Sequence, residues 1–160
     1  MADLLTHAFV GYTIGLMLSW RYEKLRSTHI TLIMVGATLP DLIRISLILN
    51  PIKIEGFVGI PFSWAPIHVA AGALLIVGIG SLLSTPKESK MIFSLLAIGT
   101  ISHLFLDSLL ITASGYSYAL FWPFLEFHPS TPGLYLSTDV WPVFVSGITA
   151  LFVRIADRIR

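Results

Sequence analysis

Long apolar segments are the feature that most restricts what this chain can fold into. Short polar connections separate five of them, each about 17 to 22 residues long. They are Leu4–Trp20, Ile30–Leu49, Pro66–Leu83, Met91–Thr112 and Val140–Ala156. A bilayer core is about 30 Å thick and offers the backbone no hydrogen bonds, so segments of this length predict transmembrane helices. We expect an all-α integral membrane bundle of about five transmembrane helices.

The composition supports a membrane protein made of one domain. Only 12% of the 160 residues are charged and 55% are hydrophobic, whereas a soluble domain has about 25% charged residues. The length predicts a single domain over residues 1–160. A net charge of +1 offers no basic face for nucleic acid, and the absence of cysteine excludes disulfides and thiolate ligands.

The basic residues between the apolar segments alternate along the chain. They follow the first, third and fifth segments: Arg21, Lys24, Arg26, Lys87, Lys90, Arg158 and Arg160. The second connection has only Lys53 and the fourth has neither Lys nor Arg. The positive-inside rule then places the amino terminus outside and the carboxyl terminus in the cytoplasm of a multi-pass protein of the cell membrane.

His103 and Asp107 lie four residues apart within an apolar run, on one face of a predicted helix. Burying an imidazole and a carboxylate in lipid is costly unless each is paired. Three interpretations remain open for this pair alone: a structural hydrogen bond, a proton relay, or metal ligation.

Similar residues in other segments favour metal ligation. The predicted topology collects three imidazoles and two carboxylates at the outer membrane face: His7, Asp41, His68, His103 and Asp107. Such donors suit zinc, and also manganese or iron. Asp41, His68, His103 and Asp107 could hold one ion, and His7 could join Asp107 on a second. The expected chemistry is hydrolysis by a metal-activated water.

Two residues beside Asp41 are expected to assist it. Pro40 interrupts its helix, which can turn a side chain or a freed carbonyl inward. Arg44, one turn from Asp41, is a candidate contact for a phosphate or oxyanion. An ion pair with Asp41 or Asp107 is the alternative role for Arg44.

The outer connection between the fourth and fifth segments, residues 113–139, is aromatic and rich in proline. Its stretch Tyr118–Phe124 is too short to cross a bilayer and suits an interfacial segment. An aromatic belt at the level of the lipid headgroups and a lid over the site are both compatible with this pattern.

Several motifs resemble a known family when they are taken in order. They are Thr-His-Ala-Phe-Val-Gly (6–11), Leu-Pro-Asp (39–41), His68, Gly-Thr-Ile-Ser-His-Leu-Phe-Leu-Asp (99–107) and Leu-Phe-Trp-Pro-Phe (120–124). The order resembles the membrane-bound metal-dependent hydrolase family, which includes LexA-regulated inner-membrane proteins. That family is distantly similar to zinc-dependent phospholipase C. The resemblance implies that the five residues His7, Asp41, His68, His103 and Asp107 are metal ligands.

This chain departs from the family pattern at two places. The family reads Pro-Asp-x-Asp where this chain has Pro-Asp-Leu-Ile (40–43), and His-Arg-x-x-Thr-His-Ser where this chain keeps only the last His, His68. The missing groups argue against a two-metal site and leave one site complete.

We therefore expect an integral membrane metal-dependent hydrolase. Its substrate is expected to be a phosphoester or other ester of a lipid-like molecule in the bilayer, with Asp41, His68, Asp107 and Arg44 as the catalytic residues. A metal-binding or proton-coupled transport protein and a non-catalytic structural membrane protein are the alternatives.

Overall fold

The computed structural model describes residues 3–117 and 121–160. These residues form six α-helices: α1 (Leu4–Arg21), α2 (Ser27–Thr38), α3 (Pro51–Val58), α4 (Ala70–Leu82), α5 (Ser89–Asp107) and α6 (Trp141–Ile159). Two 3₁₀ segments, Leu39–Leu47 and Ala65–His68, follow α2 and precede α4. The only β-type pairing in the described residues is a pair of isolated bridges. The prediction of an all-helical fold is confirmed.

The helix boundaries correct the predicted segments at three places. The helix predicted over Met91–Thr112 ends at Asp107, and the one predicted over Pro66–Leu83 begins as an α-helix only at Ala70. The short helix α3, over Pro51–Val58, was not predicted. Its Pro51 at the first helical position and the Asn50 side chain, which accepts from the Ile52 N–H, start this helix.

Two helical stretches of the described chain are long and apolar enough to cross a membrane. They are Ser27–Leu47, which joins α2 to its 3₁₀ extension, and Ser89–Asp107, which is α5. Helix α4 is apolar but shorter. Crossing by five helices therefore stays a prediction.

Pro40 explains why α2 changes into a 3₁₀ segment. Proline has no N–H, so it cannot donate to the carbonyl of Gly36 in an α-helical pattern or to that of Ala37 in a 3₁₀ pattern. The helix accordingly ends at Thr38 and continues as Leu39–Leu47 with a different spacing. The predicted interruption at Pro40 is confirmed, and two backbone carbonyls need other donors.

Glycines bring the helices that carry the site close together. A Cβ on Gly36 would collide with the Leu96 carbonyl, and one on Gly99 would collide with the Ile33 carbonyl, so α2 and α5 cross in near backbone contact. On α1, a Cβ on Gly11 would lie 3.0 Å from the Ala37 Cβ. Small residues at a crossing allow such approach. Helix α2 is therefore held between α1 and α5.

The helices α1, α4 and α6 begin near the same end of the bundle, where α2 and α5 finish. At the opposite end, the Trp20 Nε1–H donates to Asp157 Oδ1 at 3.0 Å and joins α1 to α6. Apolar side chains such as Leu75 on α4 and Phe144 on α6 are exposed on the outside of the bundle. Such outward apolar faces suit contact with lipid.

The connection after α5 folds back onto the end of that helix. The Leu134 N–H donates to the Leu109 carbonyl at 2.9 Å, and the Ile111 N–H donates to the Tyr135 carbonyl at 2.7 Å. The predicted aromatic stretch Tyr118–Phe124 lies partly outside the described residues, because residues 118–120 are not described. Whether this stretch is a belt or a lid stays a prediction.

Candidate metal centre

Four of the five predicted ligands meet at one end of the bundle. His7 is in the first turn of α1, His68 ends the 3₁₀ turn before α4, and His103 and Asp107 are in the last turns of α5. His7 and His103 have 0% exposure, and His68 and Asp107 are also buried. The helix order thus collects three imidazoles and a carboxylate from separate parts of the chain.

Asp107 is the residue that all three imidazoles face. Its Oδ1 is 3.4 Å from His7 Nε2, and its Oδ2 is 2.9 Å from His68 Nε2 and 3.6 Å from His103 Nε2. The carboxylate therefore contacts His7 through one oxygen and the other two histidines through the second. This is the arrangement that a bridging Asp107 requires.

The imidazoles also contact one another. The rings of His7 and His103 stack with centroids 3.8 Å apart, and the His68 ring meets His103 edge-on at 5.2 Å. The Nε2 atoms of His68 and His103 are 3.3 Å apart. One ligand atom from each of His7, His103 and Asp107 lies within 4.8 Å of the others.

The carbonyls freed by Pro40 accept hydrogen bonds from α5. Thr100 Oγ1 donates to the Gly36 carbonyl at 3.1 Å, and His103 Nδ1 donates to the Ala37 carbonyl at 2.8 Å. Because Nδ1 carries the hydrogen, a neutral His103 has a lone pair on Nε2. That lone pair points at the carboxylate of Asp107 and at the ring of His68. Metal-ligating histidines are oriented by such carbonyl contacts.

Local backbone structure also positions His68. Pro66 lies at the start of the 3₁₀ turn, and the Val69 N–H donates to the Pro66 carbonyl. A Cβ on Gly72 would collide with that same carbonyl, so the first turn of α4 packs directly against the 3₁₀ turn. His68 is thereby directed back toward α5.

The buried polar atoms of the cluster have few hydrogen bonds. Neither Nδ1 nor Nε2 of His7 has a hydrogen-bond partner among the described residues, although the ring is completely buried. Neither oxygen of Asp41 has one within that part of the chain either. Buried polar side chains almost always have partners, so these atoms indicate a missing ligand.

The distances between donor atoms fit a small divalent cation. Nitrogen ligands held tetrahedrally at about 2.0–2.1 Å from zinc are separated by roughly 3.3 Å. The four separations between ligand atoms of His7, His68, His103 and Asp107 lie between 2.9 and 3.6 Å. Imidazole and carboxylate are also the donor types that zinc, manganese and iron accept.

Asp41 lies beside the cluster. It is buried and close enough to His7 to act on it electrostatically, but it is outside the group of ligand atoms within 4.8 Å of one another. Its Oδ1 lies 3.4 Å from Arg44 Nε, and the Arg44 side chain is 46% exposed. The structure thus groups His7 with His103 and Asp107, where the sequence predicted Asp41 in the same shell.

Tyr135 fixes the returning connection beside Asp107. Its hydroxyl donates to the Leu106 carbonyl at 2.8 Å, and its ring meets Trp141 edge-on. Burial, together with the nearby charge of Asp107, raises the pKa of Tyr135 to about 12. The phenol therefore stays neutral at physiological pH and keeps its donor hydrogen.

A family model for the YdjM inner membrane protein matches residues 1–159. The chain belongs to that family. No curated protein and no solved structure matches it. Membership of the YdjM family confirms the expected membrane location and the resemblance to inner-membrane proteins. The hydrolase activity, the likeness to phospholipase C and the orientation of the termini stay predictions.

The sequence analysis missed the residues that support the cluster in this family member. Gly36, the Ala37 carbonyl and Thr100 orient α5 against α2. Two signals could have found them: Gly36 lies four residues before Pro40, and Thr100 lies three residues before His103 on the same helical face. Tyr135 had no comparable signal, because its partner is a backbone carbonyl 29 residues away.

Proposed function

We propose that this chain is an integral membrane metal-dependent hydrolase acting on a phosphoester or other ester of a lipid-like substrate. The observation that carries the proposal is the convergence of three buried imidazoles on Asp107, with ligand-atom separations of 2.9–3.6 Å. The lone pair of a neutral His103 faces other acceptor atoms there, and a cation between them removes this repulsion.

The residues that would hold the cation are His7, His68, His103 and Asp107. A bound zinc, manganese or iron ion would supply Lewis acidity toward a phosphoryl or acyl oxygen and would lower the pKa of a water molecule. The depth of the cluster in the bundle keeps bulk water away, which strengthens electrostatic interactions with the substrate.

Asp41 and Arg44 take the remaining roles. We assign proton acceptance to Asp41, because its carboxylate is buried beside the cluster and has no hydrogen bond within the described residues. Arg44 is half exposed, so its guanidinium can contact an anionic group that approaches from outside. His68 and Asp107 orient the substrate from opposite sides of the same 2.9 Å contact.

The test combines metal analysis with turnover, using a matched pair of aspartates. We expect the purified full chain to bind a divalent metal in a stoichiometric amount and to hydrolyse a chromogenic phosphodiester or a carboxylic ester. Asp107→Ala should lose both properties. Asp157→Ala, at the opposite end of the bundle, should keep both.

Two results would count against this function. A wild-type chain that folds but binds no zinc, manganese or iron would overturn the metal site and leave His103 as an imidazolium paired with Asp107. Stoichiometric metal without turnover of any ester would favour a metal-binding or transport protein.

A further inference from the structure

A cavity lies between α1 and α6 on the side of the cluster that faces away from α2. Its volume is about 350 Å³, within the usual range of roughly 300–1,000 Å³ for small-molecule pockets. Most of its wall is apolar, formed by Val10, Ile14, Leu109, Pro142 and Val145 among others. Such a wall suits an apolar ligand.

One polar atom in this wall has no partner. Thr6 is 3% exposed, and its Oγ1 has no hydrogen bond among the described residues. The other three hydroxyls of Thr or Ser in the wall, on Thr13, Ser146 and Thr149, each donate to a carbonyl of their own helix. An unbonded, buried Thr6 hydroxyl indicates that the occupant has one polar group at this point.

The cavity and the candidate metal centre share a wall. Thr6 directly precedes His7 on α1, and Leu106, which also lines the cavity, directly precedes Asp107 on α5. A ligand whose polar group contacts Thr6 therefore has that group one residue away from the cluster on two helices.

The cavity is reached from the outer surface of α6. Trp141 and Val145 line the cavity and are half exposed. In a protein of an inner-membrane family, the outer surface of an apolar helix faces lipid. The bilayer can therefore supply a hydrocarbon chain sideways, without passage through water.

We propose that this cavity binds one acyl chain of a membrane phospholipid, with the ester group of that chain accepting a hydrogen bond from Thr6 Oγ1. At about 30 Å³ for each water-sized unit, the volume holds roughly ten methylene groups of the chain. The inference rests on the proposed function, because it places the ester and phosphoester bonds of the lipid beside His7 and Asp107.

Photo-crosslinking in a bilayer tests the cavity directly. The full chain is placed in phosphatidylcholine nanodiscs that contain a trace of phosphatidylcholine with a diazirine in one acyl chain, and the labelled residues are mapped by mass spectrometry. We expect labelling to concentrate on Val10, Ile14 and Val145. Equal labelling of the outer face of α4, at Leu75 and Leu82, would overturn the proposal.

A filled cavity provides the matched comparison. Ser146→Leu adds volume inside the cavity, and the hydroxyl it removes bonds only within its own helix. Ser94→Leu makes the same change on the exposed surface of α5. We expect labelling of Val10 and Ile14 to fall roughly fivefold or more in the first variant only. Thr149→Leu fills the same cavity and replaces Ser146→Leu if that variant does not fold.

Thr6→Val separates a ligand contact from a structural role. Because the hydroxyl bonds nothing in the described protein, its loss should leave the melting temperature unchanged or higher. Labelling of the cavity should fall roughly threefold or more, because the ester loses its donor. A lower melting temperature with unchanged labelling would overturn the assigned contact.

The cavity and the metal centre can fail separately. Cavity labelling in a chain that binds no metal would overturn the hydrolase proposal and keep the lipid site. Turnover of a water-soluble ester without cavity labelling would keep the hydrolase and overturn the lipid site.

Discussion

Two aspartates lie at opposite ends of the bundle in different surroundings. Asp157 is partly exposed and accepts hydrogen bonds from the Trp20 indole N–H and from Arg154 Nη1, both at 3.0 Å. Asp107 is buried and faces three imidazoles, one of which has already used its hydrogen on the Ala37 carbonyl. Asp157 is satisfied by donors of the protein, whereas the surroundings of Asp107 call for a cation.

The difference separates structural from functional polar contacts in a membrane protein. The joint at Asp157 needs no ligand, because each contact pairs a donor with an acceptor. The cluster at Asp107 instead holds nitrogen and oxygen atoms at the spacing of a coordination shell. Variants at the two ends should therefore respond differently to metal.

The largest effect is expected from Gly99→Ala. A Cβ there would collide with backbone of α2, so the two helices must separate, at a cost of about 3 kcal/mol or more in the free energy of unfolding. Separation also removes the Ala37 contact of His103 and with it metal binding. Thermal unfolding in detergent and metal analysis measure both results.

Gly78→Ala is the control for that variant. Nothing lies within 4 Å of a Cβ on Gly78, and alanine favours a helix by about 1 kcal/mol over glycine. We expect equal or higher stability and unchanged metal content. A similar loss in both variants would show that the contact between α2 and α5 does not set the stability of the site.

Metal removal should destabilise the cluster and leave the Asp157 joint intact. At a metal concentration of about 100 times the dissociation constant, binding contributes about 2.7 kcal/mol. Chelation should then lower the melting temperature of the wild type by roughly 5–10 °C. Asp157→Ala should show the same shift, and Asp107→Ala should show none. An equal shift in Asp107→Ala would break the comparison between the two ends.

Asp157→Ala should itself have a smaller effect. It removes the hydrogen bond from Trp20 and a half-exposed ion pair with Arg154, together worth about 1–2 kcal/mol, nearly all from the hydrogen bond. Thermal unfolding measures the loss. Metal content should stay at the wild-type value, and a loss of metal would mean that the two ends are coupled.

The smallest effect is expected from Thr100→Val. It removes the buried donor to the Gly36 carbonyl and should lower the free energy of unfolding by about 1 kcal/mol, with metal binding weakened but present. Thr31→Val on the exposed surface of α2, where the hydroxyl bonds to its own helix, should change neither. Equal stability of the two variants would contradict a structural role for the Thr100 contact.

The sequence predicts much of the fold because lipid restricts the backbone so strongly. Apolar length and the lack of charged residues are enough to predict helices such as α1 and α5, whose first residues fall within two positions of the predicted ones. The short helix α3 was missed because it is marked only by local capping at Asn50 and Pro51. The end of α5 at Asp107 could not be read from hydropathy, since apolar residues continue beyond it.

The candidate site was predictable in its members and less so in its grouping. Buried ionisable residues are rare in apolar segments, so His7, His68, His103 and Asp107 could be selected from their position alone. Which atoms meet depends on how the helices cross. Asp41 follows Pro40 into a 3₁₀ segment and pairs with Arg44, which hydropathy and spacing do not reveal.

The missing N–H of Pro40 has a consequence for the chemistry of a different helix. By leaving the Ala37 carbonyl open, it selects the Nδ1–H tautomer of His103 and commits the other nitrogen to the centre of the cluster. Any other residue at position 40 would restore a competing backbone donor. The readiness of His103 to bind a cation is thus encoded by a proline that lies 63 positions earlier in the chain.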